Sequence, residues 1–150
     1  MIKIRVANNK DVLSLEYIDA TWKKESISAG FIPRTQKKFL KIIKEGAVVV
    51  VAEKEEKLIG YVCGVIKKAK KLSPNGNKYY LDLDSTYVLK QYRNRSIGKR
   101  LVKKLIIITK KKNLDTIWLT ADSVELQRII SFYNHLNFKT SYVHMKYDIK

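Results

Sequence analysis

DLDSTYVLKQYRNRSIGKRL, residues 82–101, decides how the rest of the chain is read. Its first half reads as a strand ending near Val88. Arg93, Asn94, Arg95 and Ser96 make a short loop, and Ile97, Leu101, Leu105 and Ile108 then recur at helical spacing. A strand that passes through a basic loop into a helix makes an anion site. Unpaired N–H groups at the helix start point outward, the helix dipole adds partial positive charge, and Gly98 leaves room for close backbone approach to a phosphate. Arg93, Arg95 and Lys99 supply full charges. These features do not say whose phosphate is held. A cofactor and a nucleic acid fit equally, and a solvated basic helix start capped by Ser96 is the plainer alternative.

Outward from that stretch, the chain reads as one mixed domain over residues 1–150. Ile2, Ile4 and Val6 alternate with Lys3 and Arg5 as in a half-buried strand. Asn8 and Asn9 offer caps to a helix from Asp11 to about Trp22, with Val12, Leu15, Ile18 and Trp22 on one face. After a loop over 23–34, a second helix carries Phe39, Ile42 and Ile43 and stops before Gly46. AVVVVA (47–52) and LIGYVCGVI (58–66), joined by EKEEK, read as a hairpin buried on both faces. SPNGN (73–77) is a turn before a strand over 79–88. A helix over 97–109, a strand TIWLT (116–120), a helix from Val124 to His135 and a closing strand or strand pair near 139–149 follow. The order β-α-α-β-β-β-α-β-α-β predicts an α/β domain with a mixed sheet. No repeat, low-complexity tract or linker divides it.

Composition narrows the function classes. With 31 Lys and Arg against 14 Asp and Glu the net charge is +17, so polyanions are attracted. Ten of the bases lie between Lys90 and Lys112 with no acid among them, and KKAKK (67–71) adds four lysines. A hydrophobic fraction of 45% supports a real core rather than a disordered basic tail. One cysteine excludes an internal disulfide framework, no His/Cys set has zinc-ligand spacing, and no apolar run is long enough to cross a bilayer. The opening MIKIRVANNK enters an alternating pattern without a signal-type apolar region, which makes the cytoplasm the expected compartment and a membrane role unexpected. Sequences for nucleotide hydrolysis, dinucleotide binding and zinc proteolysis are absent. Cys63 reads as a core residue, and His135 and His144 as structural or surface histidines.

Val88, Tyr92, Arg93, Ser96 and Gly98, at a strand exit and a helix start, resemble the acetyl-CoA loop of the GNAT superfamily of N-acetyltransferases. That family's pattern is Gln or Arg, two residues, Gly, one residue, then Gly or Ala. SFYNHLNF (131–138) resembles the family's later FY-x-x-LGF segment, and the element order is similar from Ile2 to about Asp148, including the strand IGYVCG. Three positions depart: Ser96 stands at the first glycine, Leu126 where many members carry asparagine, and Asn137 at the glycine before Phe138. A serine keeps its backbone N–H, and asparagine tolerates left-handed backbone.

The resemblance implies a mixed, mostly antiparallel central sheet flanked by helices. It also implies transfer of an acetyl group from acetyl-CoA, as co-substrate, to a primary amine by direct attack in a ternary complex. It places the cofactor on Thr86, Tyr87 and Val88 and on Arg93, Asn94, Arg95, Ser96, Ile97, Gly98 and Lys99, with no metal. Tyr133 corresponds to the tyrosine that protonates the leaving thiolate, a role its hydroxyl can fill. Asp82 resembles the family's carboxylate base, with Asp84 on the same face by strand period. The first two helices, with Tyr17, Trp22 and Phe31, would shape the acceptor side, for which a protein N-terminus, a lysine or a small amine all stand. The competing expectation is a non-enzymatic nucleic-acid binder using Lys90 to Lys112. A strand edge near the C-terminus leaves room for a homodimer.

Overall fold

The computed structural model describes residues 1–70, 76–145, 147 and 149. Lys71 and the first three residues of the expected 73–77 turn lie outside them. The elements in chain order are β1 (Ile2–Val6), α1 (Val12–Glu25), α2 (Gln36–Lys44), β2 (Val48–Lys54), β3 (Lys57–Lys68), β4 (Tyr79–Val88), α3 (Ile97–Lys111), β5 (Ile117–Trp118) and α4 (Leu126–Asn134). The strands form one sheet in the order β1-β2-β3-β4-β5, antiparallel except for the parallel pair β4–β5.

The unbroken apolar run of β2 is explained by helices on both faces of the sheet. Val48, Val50 and Ala52 face α3 with Leu81, Leu83, Ile97, Leu101 and Leu105, whereas Val49 and Val51 face α1 and α2 with Leu15, Ile18, Phe39, Tyr61 and Tyr87. Each fully buried side chain of this kind contributes roughly 1.5–3 kcal/mol of transfer free energy. Local chemistry sets the helix ends. The Asn8 side chain accepts from Lys10 N–H at 2.9 Å and the Asp11 carboxylate from Asn8 N–H at 2.8 Å, capping a short 3-10 turn that leads into α1. α1 continues past Trp22 to Glu25, where Ser26 turns left-handed at φ 52°.

A β-bulge in β4 positions the site. Ser85 pairs with Cys63 and Leu83 with the next residue, Gly64, so Asp84 is an extra residue. Leu81 and Leu83 face α3; after the bulge Tyr87 faces α1 and α2 while Val88 packs on the α3 side. Thr86, of the same parity as Val88, therefore lies on the α3 side, and Asp84 and Ser85 are both reached by Arg34 from the α1–α2 side. Gly64 has to be glycine, because a Cβ there would stand 2.6 Å from Leu81 Cδ2.

The expected strand near 139–149 is not found among the described residues. β5 is only two residues long and offers little ladder to pair with, and Val143, Met145, Tyr147 and Ile149 are exposed. Tyr142 instead approaches Trp118 of β5, with ring centroids 6.0 Å apart. Among the described residues no helix is long and apolar enough to cross a membrane.

Candidate active site

β4 and β5 pair only at Leu81–Ile117 and Asp82–Trp118 and then separate. The gap between them opens into a groove of about 990 Å³, with Asp84 to Val88 on one wall and Leu119 to Asp122 on the other. Leu89 donates its N–H to Ile59 O on β3 at 2.9 Å. By strand alternation the N–H groups of Val88 and Thr86 point the other way, into the gap.

The basic loop closes one end of this groove. Asn94 and Ser96 both hold left-handed backbone, at φ 60° and 56°, and this alternation turns successive N–H groups toward one concavity ahead of α3. Ser96 makes no side-chain cap. Its φ explains why a glycine suits the position, since left-handed backbone costs roughly 1–2 kcal/mol for a residue with a Cβ. Ser96→Gly is expected to stabilise the fold by about 0.5–1 kcal/mol once glycine's chain entropy is subtracted, which thermal unfolding would register as a Tm rise of roughly 1–4 °C. Asn137 is likewise left-handed, at φ 66°. Gly98 has a different reason: a Cβ there would meet the Phe132 ring at 3.3 Å, so its bareness lets α4 pack against α3.

The structure brings together on the groove the expected cofactor residues Thr86, Tyr87, Val88, Arg93, Asn94, Ser96, Ile97, Gly98 and Lys99. Arg95 is not among the lining residues and lies over the Tyr92 ring at 5.9 Å. Arg93 is turned inward. Its Nε donates to Val88 O at 2.9 Å, its Nη2 to Glu25 at 2.8 Å, and its guanidinium sits 5.2 Å from the Tyr87 ring centroid. Glu25 also accepts from the Tyr87 hydroxyl. Burial works to raise the Glu25 carboxyl, but the Tyr87 hydroxyl and Arg93 hold it below its usual range. Arg93 thus ties the loop to the end of α1 while lining the groove.

Tyr133 enters from α4. Its hydroxyl donates to Thr86 Oγ1 at 3.0 Å, and its ring packs edge-on against Phe132 and Phe138. Burial raises its phenol above the ordinary value, so it is protonated at neutral pH. His135 also lines the groove, its Nδ1 2.7 Å from Ser131 O. His144 lies away in the C-terminal segment, beside Tyr142. Leu126, exposed at the start of α4, is not a lining residue. Cys63 is fully buried, and burial pushes its thiol up to about 11, so it is a core residue without nucleophilic character.

The two acidic candidates separate. Asp82 forms an ion pair with Lys67 and does not line the groove. Asp82 is the last β4 residue paired with β5, and Asp84 follows it by one strand period on the same face, which is why sequence position alone could not distinguish the two. Asp84 lines both the groove and an adjoining cavity of about 510 Å³ formed by Gly30, Phe31, Ile32, Pro33, Arg34, Thr35 and Lys38. It is held by Arg34, which also bonds the fully buried Asp19 through its backbone N–H at 2.9 Å and Nη1 at 3.1 Å. Asp19 accepts from the Tyr61 hydroxyl as well. Two carboxylates thus share one guanidinium, and Asp84, whose side chain is 39% exposed, is the one that faces the cavity, which Lys38 also lines. Trp22, stacked between Phe31 at 4.0 Å and Tyr87 at 5.1 Å, completes the wall. The Asp19–Arg34–Tyr61 network left no sequence signal, since its members come from three separate segments. Asp122 left only the turn pattern of TADSV.

The sequence model of the acetyltransferase (GNAT) family matches residues 13–138. No curated protein sequence matches. Among solved structures the chain is similar to a predicted acetyltransferase with acetyl-CoA from Clostridium acetobutylicum, at TM-score 0.77 and 17% identity over 99% of this chain and 96% of that one. An aminoglycoside acetyltransferase from an uncultured soil metagenomic sample, in complex with sisomicin, gives TM-score 0.74 and 18% identity over 99% and 97%. A ribosomal-protein-alanine N-acetyltransferase from Brucella melitensis biovar Abortus 2308 gives 0.70 and 15% over 100% and 99%. At these identities the likeness is one of fold.

Proposed function

Since the chain belongs to the GNAT family of acetyltransferases, we propose that it transfers the acetyl group of acetyl-CoA to a primary amine by direct attack in a ternary complex. The observation that carries this reading is the Tyr133 hydroxyl standing against Thr86 where β4 and β5 part, at the inner end of a groove whose other end is the basic loop. The residues fit the co-substrate: left-handed Asn94 and Ser96 turn backbone N–H groups toward its phosphates, and the N–H groups of Thr86 and Val88 face the groove. Bound there, acetyl-CoA supplies an activated acyl carbon and a leaving thiolate.

The protein's own work is then threefold. Backbone donors of β4 orient the thioester oxygen and favour the charge that develops on it. Asp84 draws the acceptor's ammonium to the junction of cavity and groove and accepts its proton, in place of Asp82, which Lys67 holds elsewhere. Tyr133 protonates the departing sulfur from the opposite face of the sheet, so acid and base do not neutralise each other. The nucleic-acid alternative draws on the exposed bases of α3 and accounts for neither the groove nor Tyr133.

Calorimetric titration with acetyl-CoA tests the reading; one-to-one binding in the micromolar range is expected, and no binding would overturn it. Arg93→Ala is expected to weaken that binding about tenfold by releasing the loop, a loss of about 1.4 kcal/mol. Glu25→Ala should weaken it comparably although Glu25 is itself an acid. If Arg93 acted on a phosphate directly, Glu25→Ala would leave affinity unchanged or improve it.

A further inference from the structure

Among the described residues, a side-chain hydrogen bond crosses the acceptor side of the groove. The Ser28 hydroxyl, on the loop after α1, donates to Asp122 Oδ2 at 2.7 Å, on the segment after β5. Asp122 Oδ1 accepts from Val124 N–H at 2.9 Å, and the N–H groups of Ala29 and Ser123 also bond this carboxylate. Burial acts to raise the Asp122 carboxyl, yet these four donors hold it below its ordinary value, so it is ionised and firmly attached at neutral pH. Ser28 and Asp122 both line the groove, so their bond ties the loop after α1 to the segment after β5 at the groove's edge.

The smaller cavity meets the groove at Phe31 and Asp84, the residues common to both linings. Its other walls are Gly30, Ile32, Pro33, Arg34, Thr35 and Lys38. An amine on a compact body can fill about 510 Å³ and present its nitrogen at Asp84. A lysine within a polypeptide brings backbone on both sides of its Cα, and the Ser28–Asp122 bond blocks the path that backbone would follow along the groove.

We infer that the Ser28–Asp122 bridge determines acceptor specificity, confining acetyl transfer to small free amines and barring polypeptide lysines. The inference rests on the acetyl-transfer reading and names the substrate class of that same site.

The test uses the purified full chain, thiol release from acetyl-CoA as readout, and two sets of acceptors: tyramine, spermidine and glucosamine as small amines, and an N-blocked hexapeptide with one central lysine. The parent is expected to acetylate at least one small amine with kcat/KM at least 100-fold above that for the peptide. Asp122→Ala should raise kcat/KM for the peptide tenfold or more, chiefly through KM, while that for the small amine does not rise. Ser28→Ala, which removes one donor and leaves the Asp122 turn standing, should shift the ratio in the same direction by a smaller factor and covers the case in which Asp122→Ala fails to fold. A parent that acetylates the peptide as well as the small amines, or a ratio unmoved in both variants, overturns the inference. Absence of acetyl-CoA binding in the calorimeter overturns the reading of function instead, and is seen before any acceptor is added.

Discussion

Tyr133→Phe is expected to lower kcat by about 100-fold or more, the range that loss of a positioned general acid produces, while acetyl-CoA binds within a factor of about two. The ring keeps its packing against Phe132 and Phe138, so only the hydroxyl and its bond to Thr86 are lost. That bond is worth about 1 kcal/mol of stability, too little to unfold the domain. Steady-state rates with a fixed amine, alongside calorimetric affinity, separate the two effects. Thr86→Val should also reduce kcat, by about tenfold, because the phenol remains but is no longer oriented. A Tyr133→Phe enzyme with parental kcat would show that the tyrosine is a core aromatic, its other natural role at the junction of α3, α4 and β4.

The second large effect falls on stability. Arg34→Ala should destabilise the fold by about 3–5 kcal/mol, because it leaves the fully buried Asp19 carboxylate without its cation. For a domain of this size the Tm would drop by roughly 6–20 °C. Asp84→Asn touches the same guanidinium at its exposed end and should cost about 1 kcal/mol at most, since a partly solvated pair is weak. Thermal unfolding of the two variants side by side decides the matter. Equal losses would mean that the Arg34 network acts as one exposed cluster rather than as a buried anchor with a working end at Asp84.

Much of the architecture was legible before any coordinates. Alternation in 2–6, the β-branched run 47–52 and the spacing of Ile97, Leu101 and Leu105 are signals between near neighbours, and all became the expected elements. The loop residues 93–99 stood out in the sequence as a candidate anion site because the N–H groups at a strand-to-helix turn need no distant partner. The closing strand was read from alternation at 139–149, but alternation needs an edge to pair with, and two-residue β5 supplies almost none.

By itself, then, the sequence determined the elements from β1 to α4 and the faces of the helices, and marked the basic loop as the candidate cofactor end of the groove, all through periods of two and 3.6 residues and turn chemistry acting over a few positions. Only the tertiary structure decided which carboxylate lines the groove, because Asp82 is held by Lys67 while one bulged residue leaves Asp84 on the α1–α2 side and turns Thr86 toward Tyr133. Only the tertiary structure, too, set the inward use of Arg93, 68 residues from Glu25, and the bridge between Ser28 and Asp122, 94 residues apart. Such contacts depend on where the packed sheet and helices carry their loops, and no local pattern of residues encodes that distance.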